Sequence, residues 1–105
     1  MIILGVDPGL RVTGYGVIEE NQGRIQLVEA GVITTKAQSS ISERLKAIYE
    51  GLTELLSERK PAVIALEKLY SDYHHPTTAI LMGHARGVIC LAAGMSNIPL
   101  TNIPS

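Results

Sequence analysis

The apolar pattern of this chain changes period twice between residues 35 and 66, and that change limits its fold more than any other feature. Ile41, Leu45, Ile48, Leu52 and Leu55 recur at helical spacing, with a capping box from Ser40 and Glu43 at the start and Pro61 marking the end. Ala62 to Leu66 then forms an unbroken apolar run that stops abruptly on Glu67, the pattern of a parallel strand covered on both faces. The first strand of the chain is Ile2 to Val6, a β-branched apolar run ended by the turn sequence Asp7-Pro8-Gly9. If the run ending in Glu67 lies beside it, the helix between them is the right-handed crossover that joins two parallel strands.

The other elements fit around this pair. Tyr15 to Glu20 reads as a second strand, Asn21, Gln22 and Gly23 as a hairpin turn, and Arg24 to Thr35 as a third, antiparallel strand, which completes a meander. After a polar loop holding Tyr70, Tyr73, His74, His75 and Pro76, a second helix is expected from Thr77 to about Ala93, with Gly94 as its C-cap. Ile98 to Ile103 reads as a last short strand. The order is βββαβαβ, an α/β class with a mixed sheet, in one domain over residues 1–105.

Composition narrows the class of function. With 105 residues, 46% hydrophobic and 18% charged, the chain is an ordinary globular domain long enough for a single core. Nine basic residues against ten acidic ones give a net charge of −1, so any nucleic-acid reading must rest on local features rather than on overall attraction to a polyanion. The single cysteine, Cys90, lies in an apolar run, which excludes an intramolecular disulfide and is expected of a buried thiol in a reducing compartment. No secretory leader is visible and no stretch approaches about 18 uninterrupted apolar residues, so a cytoplasmic location is expected.

Chemistry concentrates at two strand ends. Functional groups in open α/β sheets gather beyond the carboxyl ends of parallel strands, and Asp7 and Glu67 both stand there. If the strand ending at Glu67 lies beside the strand ending at Asp7, the two carboxylates repel, and a divalent cation relieves that repulsion. A hard cation such as Mg²⁺ prefers carboxylate oxygens and keeps several waters, so two protein ligands and a phosphate oxygen make a sensible shell. Two such ions about 4 Å apart hold the attacking water and the leaving oxygen of a phosphodiester in line. Taken singly, each residue has a plainer reading. Asp-Pro-Gly is one of the commonest turn sequences, and a charged residue after a buried strand is often just its first exposed position.

Three segments together carry more information. LGVDPGLRVTGYGVI from Leu4 to Ile18, ALEKLY around Glu67 and AILMGHARGVICLAA from Ala79 to Ala93 resemble the RuvC family of Holliday junction resolvases, in that family's order and spacing and over essentially the whole chain. The resemblance implies a ribonuclease H-like fold and a Mg²⁺-dependent homodimer that nicks four-way DNA junctions symmetrically during recombination and repair. Two ions would occupy the full site, with Mn²⁺ as a possible substitute. Asp7 matches the first acidic ligand and Glu67 the second. Junction-migration proteins of the RuvA and RuvB type are implied as partners. The family's site also uses two further acidic or histidine groups on a helix beyond the last strand, and the chain reaches Ser105 without them. It is therefore expected to be incomplete at its C-terminal side, to bind Mg²⁺ weakly, to cleave DNA poorly or not at all, and to leave its last strand uncovered.

Secondary features follow the same reading. Tyr70 stands three residues after Glu67, where the family places an aromatic residue, commonly Phe, near the exchange point of the junction; its ring offers a stacking face for a base. A tyrosine in a loop equally often just covers a neighbouring helix. Lys68 and Arg11 flank the site and could meet phosphates, and the plainer reading of either is a solvated surface charge. Adjacent His74 and His75 lack the helical i, i+4 spacing of a zinc motif. Ala79, Gly83 and Gly87 recur every fourth residue and offer a stripe on which another backbone can approach closely, the expected homodimer contact. Gly14 and Gly16 around Tyr15 keep open a resemblance to sugar kinases and actin-like ATPases, whose opening hairpin touches nucleotide phosphates. A non-catalytic ribonuclease H-like module that binds branched DNA is the third reading.

Overall fold

A computed structural model of the chain describes residues 1–67 and 75–103. The elements follow the expected order: β1 (Ile2–Asp7), β2 (Val12–Asn21), β3 (Arg24–Thr34), α1 (Ile41–Arg59), β4 (Val63–Glu67), α2 (Pro76–Met95) and β5 (Leu100–Ile103). They build one five-stranded sheet in the order β3-β2-β1-β4-β5. The meander pairs antiparallel, whereas β4 runs parallel to β1 and β5 parallel to β4. The mixed α/β sheet expected from the sequence is what the chain forms.

Boundaries moved where the signal was polar. Strand β2 begins at Val12 rather than Tyr15, because Val12, Thr13 and Gly14 pair with Thr34, Ile33 and Val32 although two of the three carry no apolar signal. Asn21 belongs to the ladder opposite Arg24, so the hairpin turn is only Gln22 and Gly23, both with positive φ (52° and 80°), the backbone of a two-residue type I′ turn. Helix α1 has the capping box, with Ser40 and Glu43 bonded reciprocally, and ends on Lys60 in the left-handed region just before Pro61. Helix α2 passes through Gly94. Its left-handed stop is Asn97 (φ 56°), with the Ile98 N–H donating to the Ala93 carbonyl and the Asn97 N–H to that of Gly94, a Schellman closure.

Both helices lie on the same face of the sheet. Leu4, Val6, Val17, Ile64 and Leu66 from the strands meet Ile48, Leu52, Leu55 and Leu56 of α1 and Ala85, Ile89, Ala92 and Ala93 of α2, all buried, in one core. The alternation of a strand then dictates that the intervening residues point the other way. That second face carries no helix among the described residues. Strand β4 is accordingly covered on one side only, with Ile64 and Leu66 buried and Val63 and Ala65 half-buried, which corrects the expectation of cover on both. Leu27, Val32 and Ile25 are 62%, 59% and 74% exposed, so the bare apolar surface reaches well beyond the last strand.

Helix α2 has the length and apolarity to cross a bilayer. Its buried stripe at 85, 89, 92 and 93 belongs to the core. Cys90, expected to be buried, is exposed, because a residue next to Ile89 on a helix is turned about 100° away from the core stripe.

Candidate metal centre at two strand ends

Asp7 is the last residue of β1 and Glu67 the last of β4. The parallel register pairs Ile3 with Val63, Gly5 with Ala65 and Val6 with Leu66, so Asp7 and Glu67 stand one step further on as neighbours on adjacent strands. Adjacent strands lie about 4.8 Å apart, which brings two carboxylates on one face within reach of a shared ion. Both residues line one open cleft of about 410 Å³ on the uncovered face. Its floor is small: Gly5, Gly14 and Gly16 are set side by side by the β1–β2 register. Where three adjacent positions lack side chains, an extended backbone has room to approach the sheet closely.

The turn after Asp7 is held by a residue whose role the sequence did not reveal. Thr13 is 1% exposed, and its hydroxyl donates to the Gly9 carbonyl (2.8 Å) while accepting from the Gly9 N–H (3.2 Å). A Cβ on Gly9 would fall 2.1 Å from the Val12 carbonyl oxygen, so no side chain fits there. The same loop is fastened to the end of β3: the Thr35 hydroxyl donates to the Leu10 carbonyl (2.6 Å) and the Thr35 N–H to the Arg11 carbonyl (2.9 Å). The plain turn reading of Asp7 needs its side chain to take the following amides, yet the Gly9 amide is taken by Thr13. Asp7 is exposed, and its carboxylate is left available to the cleft.

A second missed residue is Arg86 of α2. It donates from Nη1 to the Glu67 carbonyl and from Nη2 to Asn102 Oδ1 (2.8 Å), bridging the ends of β4 and β5 from the helix-covered side. The string G-x-ARG contains it, but apolar periodicity gives an arginine on a core helix no partner.

Of the other expected contacts, Arg11 is exposed beside the cleft loop, whereas Lys68, Tyr70, Tyr73 and His74 lie outside the described residues. His75 is exposed at the start of α2. Among the described residues no three His, Cys, Asp or Glu side chains come together. Gly83 and Gly87 of the small stripe face open space, where an added Cβ would meet nothing within 4 Å. Exposed Ile80 and Leu91 lie beside them on the helix surface.

An ionic cluster sits on the covered face of the sheet, opposite the glycine floor. Arg59 grips Glu29 Oε1 through Nε and Nη2 (2.9 and 2.7 Å), and the Tyr15 hydroxyl donates to Oε2 (2.9 Å). Arg59, and after it the Tyr15 hydrogen bond, hold the Glu29 carboxyl below the usual range, while the same bond raises the Tyr15 phenol. Gly31 makes room for that ring, since a Cβ there would lie 2.6 Å from its hydroxyl.

Known proteins resemble this arrangement throughout. A family model described as crossover junction endodeoxyribonuclease RuvC matches residues 3–103. The Rhodopirellula baltica protein of that name is 51% identical over 98 residues, covering 93% of this chain and 55% of that protein. The Pseudothermotoga lettingae protein is 45% identical over 100 residues, 95% of this chain and 61% of its own. Thermus thermophilus RuvC, solved in complex with Holliday junction substrate, superposes with a TM-score of 0.93 at 25% identity over 100% of this chain and 66% of that one. The chain thus spans a little over half the length of the two curated relatives. With the match running from the first strand to the last, the chain belongs to the RuvC family of crossover junction endodeoxyribonucleases.

Proposed function

We propose that this chain is the metal-ligating part of a structure-selective endonuclease that resolves Holliday junctions, with Asp7 and Glu67 as ligands of a divalent cation. The observation that carries this reading is the placement of the two carboxylates on adjacent parallel strand ends, over a cleft floored by glycines. The donor set fits the group: two hard carboxylate oxygens on one side and open space on the other leave positions for water and a phosphate oxygen. Mg²⁺ is the expected ion, with Mn²⁺ able to take its place. A cation held there would polarise a phosphoryl oxygen and make a bound water a readier nucleophile. The protein's own contribution is to fix both carboxylates on strands rather than loops, and to keep the cleft floor free of side chains so that a DNA strand can lie against it.

Family membership supplies the substrate class, since the Thermus relative was solved on a Holliday junction. Arg11, Lys68 and Tyr70 are the residues of this chain proposed to meet that DNA. The bare face over β3 and the cleft, with Leu27, Val32 and Ile103 exposed, fits a domain whose remaining part covers it. The face of α2 bearing Ile80, Gly83, Gly87 and Leu91 is the proposed contact with a second copy, since its glycines let another backbone approach. Two junction strands nicked symmetrically match a twofold dimer.

The test is nicking of a four-way junction by the complete protein and its Asp7→Asn variant. The metal term is worth several kcal/mol, so the rate should fall at least about a hundredfold while junction binding in EDTA persists. Undiminished nicking by Asp7→Asn overturns the reading. Junction binding with no Mg²⁺-dependent nicking by the wild type favours a non-catalytic branched-DNA module.

A further inference from the structure

We propose that Arg86 is a positioning residue for the Glu67 ligand, acting from the opposite side of the sheet. The inference rests on the metal-ligand reading of Asp7 and Glu67 and extends it to a residue outside the cleft.

Glu67 is the last residue of β4, at the limit of the ladder, where it stands opposite Ile103 of β5. A main-chain carbonyl is an obligatory acceptor, and a donor reaching it from a packed helix ties the strand end to that helix. Arg86 is such a donor to the Glu67 carbonyl. Its flanking residues Ala85 and Ile89 are both 0% exposed, so the stem of Arg86 rises from the most firmly packed part of α2. The planar fork then sends one nitrogen to the Glu67 carbonyl and the other to Asn102 Oδ1. Asn102 is paired with Leu66 and so belongs to the helix-covered face, as Arg86 does. One side chain therefore ties two strand ends to a helix through two donors of fixed relative geometry.

The consequence falls on the cleft. Successive residues of a strand point to opposite faces, and the alternation that buries Leu66 turns Glu67 toward the cleft it lines with Asp7. A hold on the Glu67 main chain fixes where its carboxylate starts from without occupying any space where an ion, water or phosphate must sit. Lysine offers a single ammonium in place of the fork and would tie one strand end, not both. Groups that orient a metal ligand without touching the metal are typically worth about ten- to a hundredfold in affinity.

The test is a Mn²⁺ titration of the 105-residue chain, with free Mn²⁺ read by electron paramagnetic resonance, for the wild type, Arg86→Met, Arg86→Lys, Asn102→Ala and Asp7→Asn. Thermal melts run alongside in EDTA. Arg86→Met keeps the apolar stem and removes both donors, and is expected to weaken Mn²⁺ binding about tenfold. Arg86→Lys recovers part of that loss. Asn102→Ala, which frees one arm of the fork and leaves the core untouched, weakens binding by less, and it carries the test if Arg86→Met fails to fold. Wild-type affinity in folded Arg86→Met or in Asn102→Ala overturns the inference while leaving the carboxylate site standing. Mn²⁺ binding that survives Asp7→Asn unchanged removes the site itself, and this inference with it.

Discussion

The two faces of the sheet are made from the same strands, residue by residue in alternation, and they are built to opposite ends. On the covered face Leu4, Val6, Val17, Ile64 and Leu66 are 4% exposed or less, packed under α1 and α2. On the bare face the neighbouring positions are Gly5, Gly14, Gly16 and Ala65, and the carboxylates Asp7 and Glu67 end two of the strands. The covered face holds the register, and the register places the carboxylates. Stability and site are separated by a single peptide step along β1 and β4, so substitutions on the two faces should have opposite signatures.

The largest effect is expected on the covered face. Ile64→Ala removes a fully buried side chain from the strand that ends in Glu67 and should cost about 2–5 kcal/mol in urea unfolding. Leu27→Ala on the bare face should cost less than about 0.5 kcal/mol, because Leu27 is mostly exposed already. Similar losses at both positions would break the contrast between the faces. Thr13→Val, which strands both polar groups of Gly9, should cost about 1–3 kcal/mol and loosen the loop after Asp7, seen as faster amide exchange at residues 9–13. Ser40→Ala removes the cap of α1 at a residue that does not line the cleft, and should cost about 0.5–2 kcal/mol with no effect on Mn²⁺ affinity.

The smallest effect concerns pH. Glu29 binds its proton less readily when folded, because Arg59 and Tyr15 favour its charged form. Its contribution to stability is therefore full above the unfolded glutamate value of about 4.3 and is lost as pH falls through the lower folded value. Glu29→Gln should flatten the acid side of the stability profile. An unchanged acid limb would show that the cluster on the covered face does not set acid sensitivity.

Much of this was legible in the sequence, and the parts that were not share a physical cause. The helix at 41–59, the run ending in Glu67 and the turn after Val6 declared themselves through apolar period and turn chemistry, and the parallel pairing of β1 with β4, which these signals allowed without requiring, is the one the chain forms. What stayed hidden depends on polar groups meeting across distance. Thr13 and Gly9 bond over a loop, Arg86 reaches Glu67 and Asn102 on two different strands, and Asn97 rather than Gly94 stops α2. None of these leaves a periodic trace. The exposure of Cys90 and the one-sided cover of β4 were missed because an apolar run shows that residues are apolar, and not which side a neighbour occupies. For Asp7 and Glu67 the period located the strand ends, while the metal reading came from the chemistry of paired carboxylates and from resemblance.

The most direct test of that reading is paramagnetic broadening of backbone amide signals as Mn²⁺ is added to the chain. The account predicts that signals near residues 6–7, 14 and 66–67 broaden first, and that Asp7→Asn or Glu67→Gln removes the effect while the fold is retained. Broadening centred elsewhere, or unchanged in both variants, would contradict a metal site at the ends of β1 and β4.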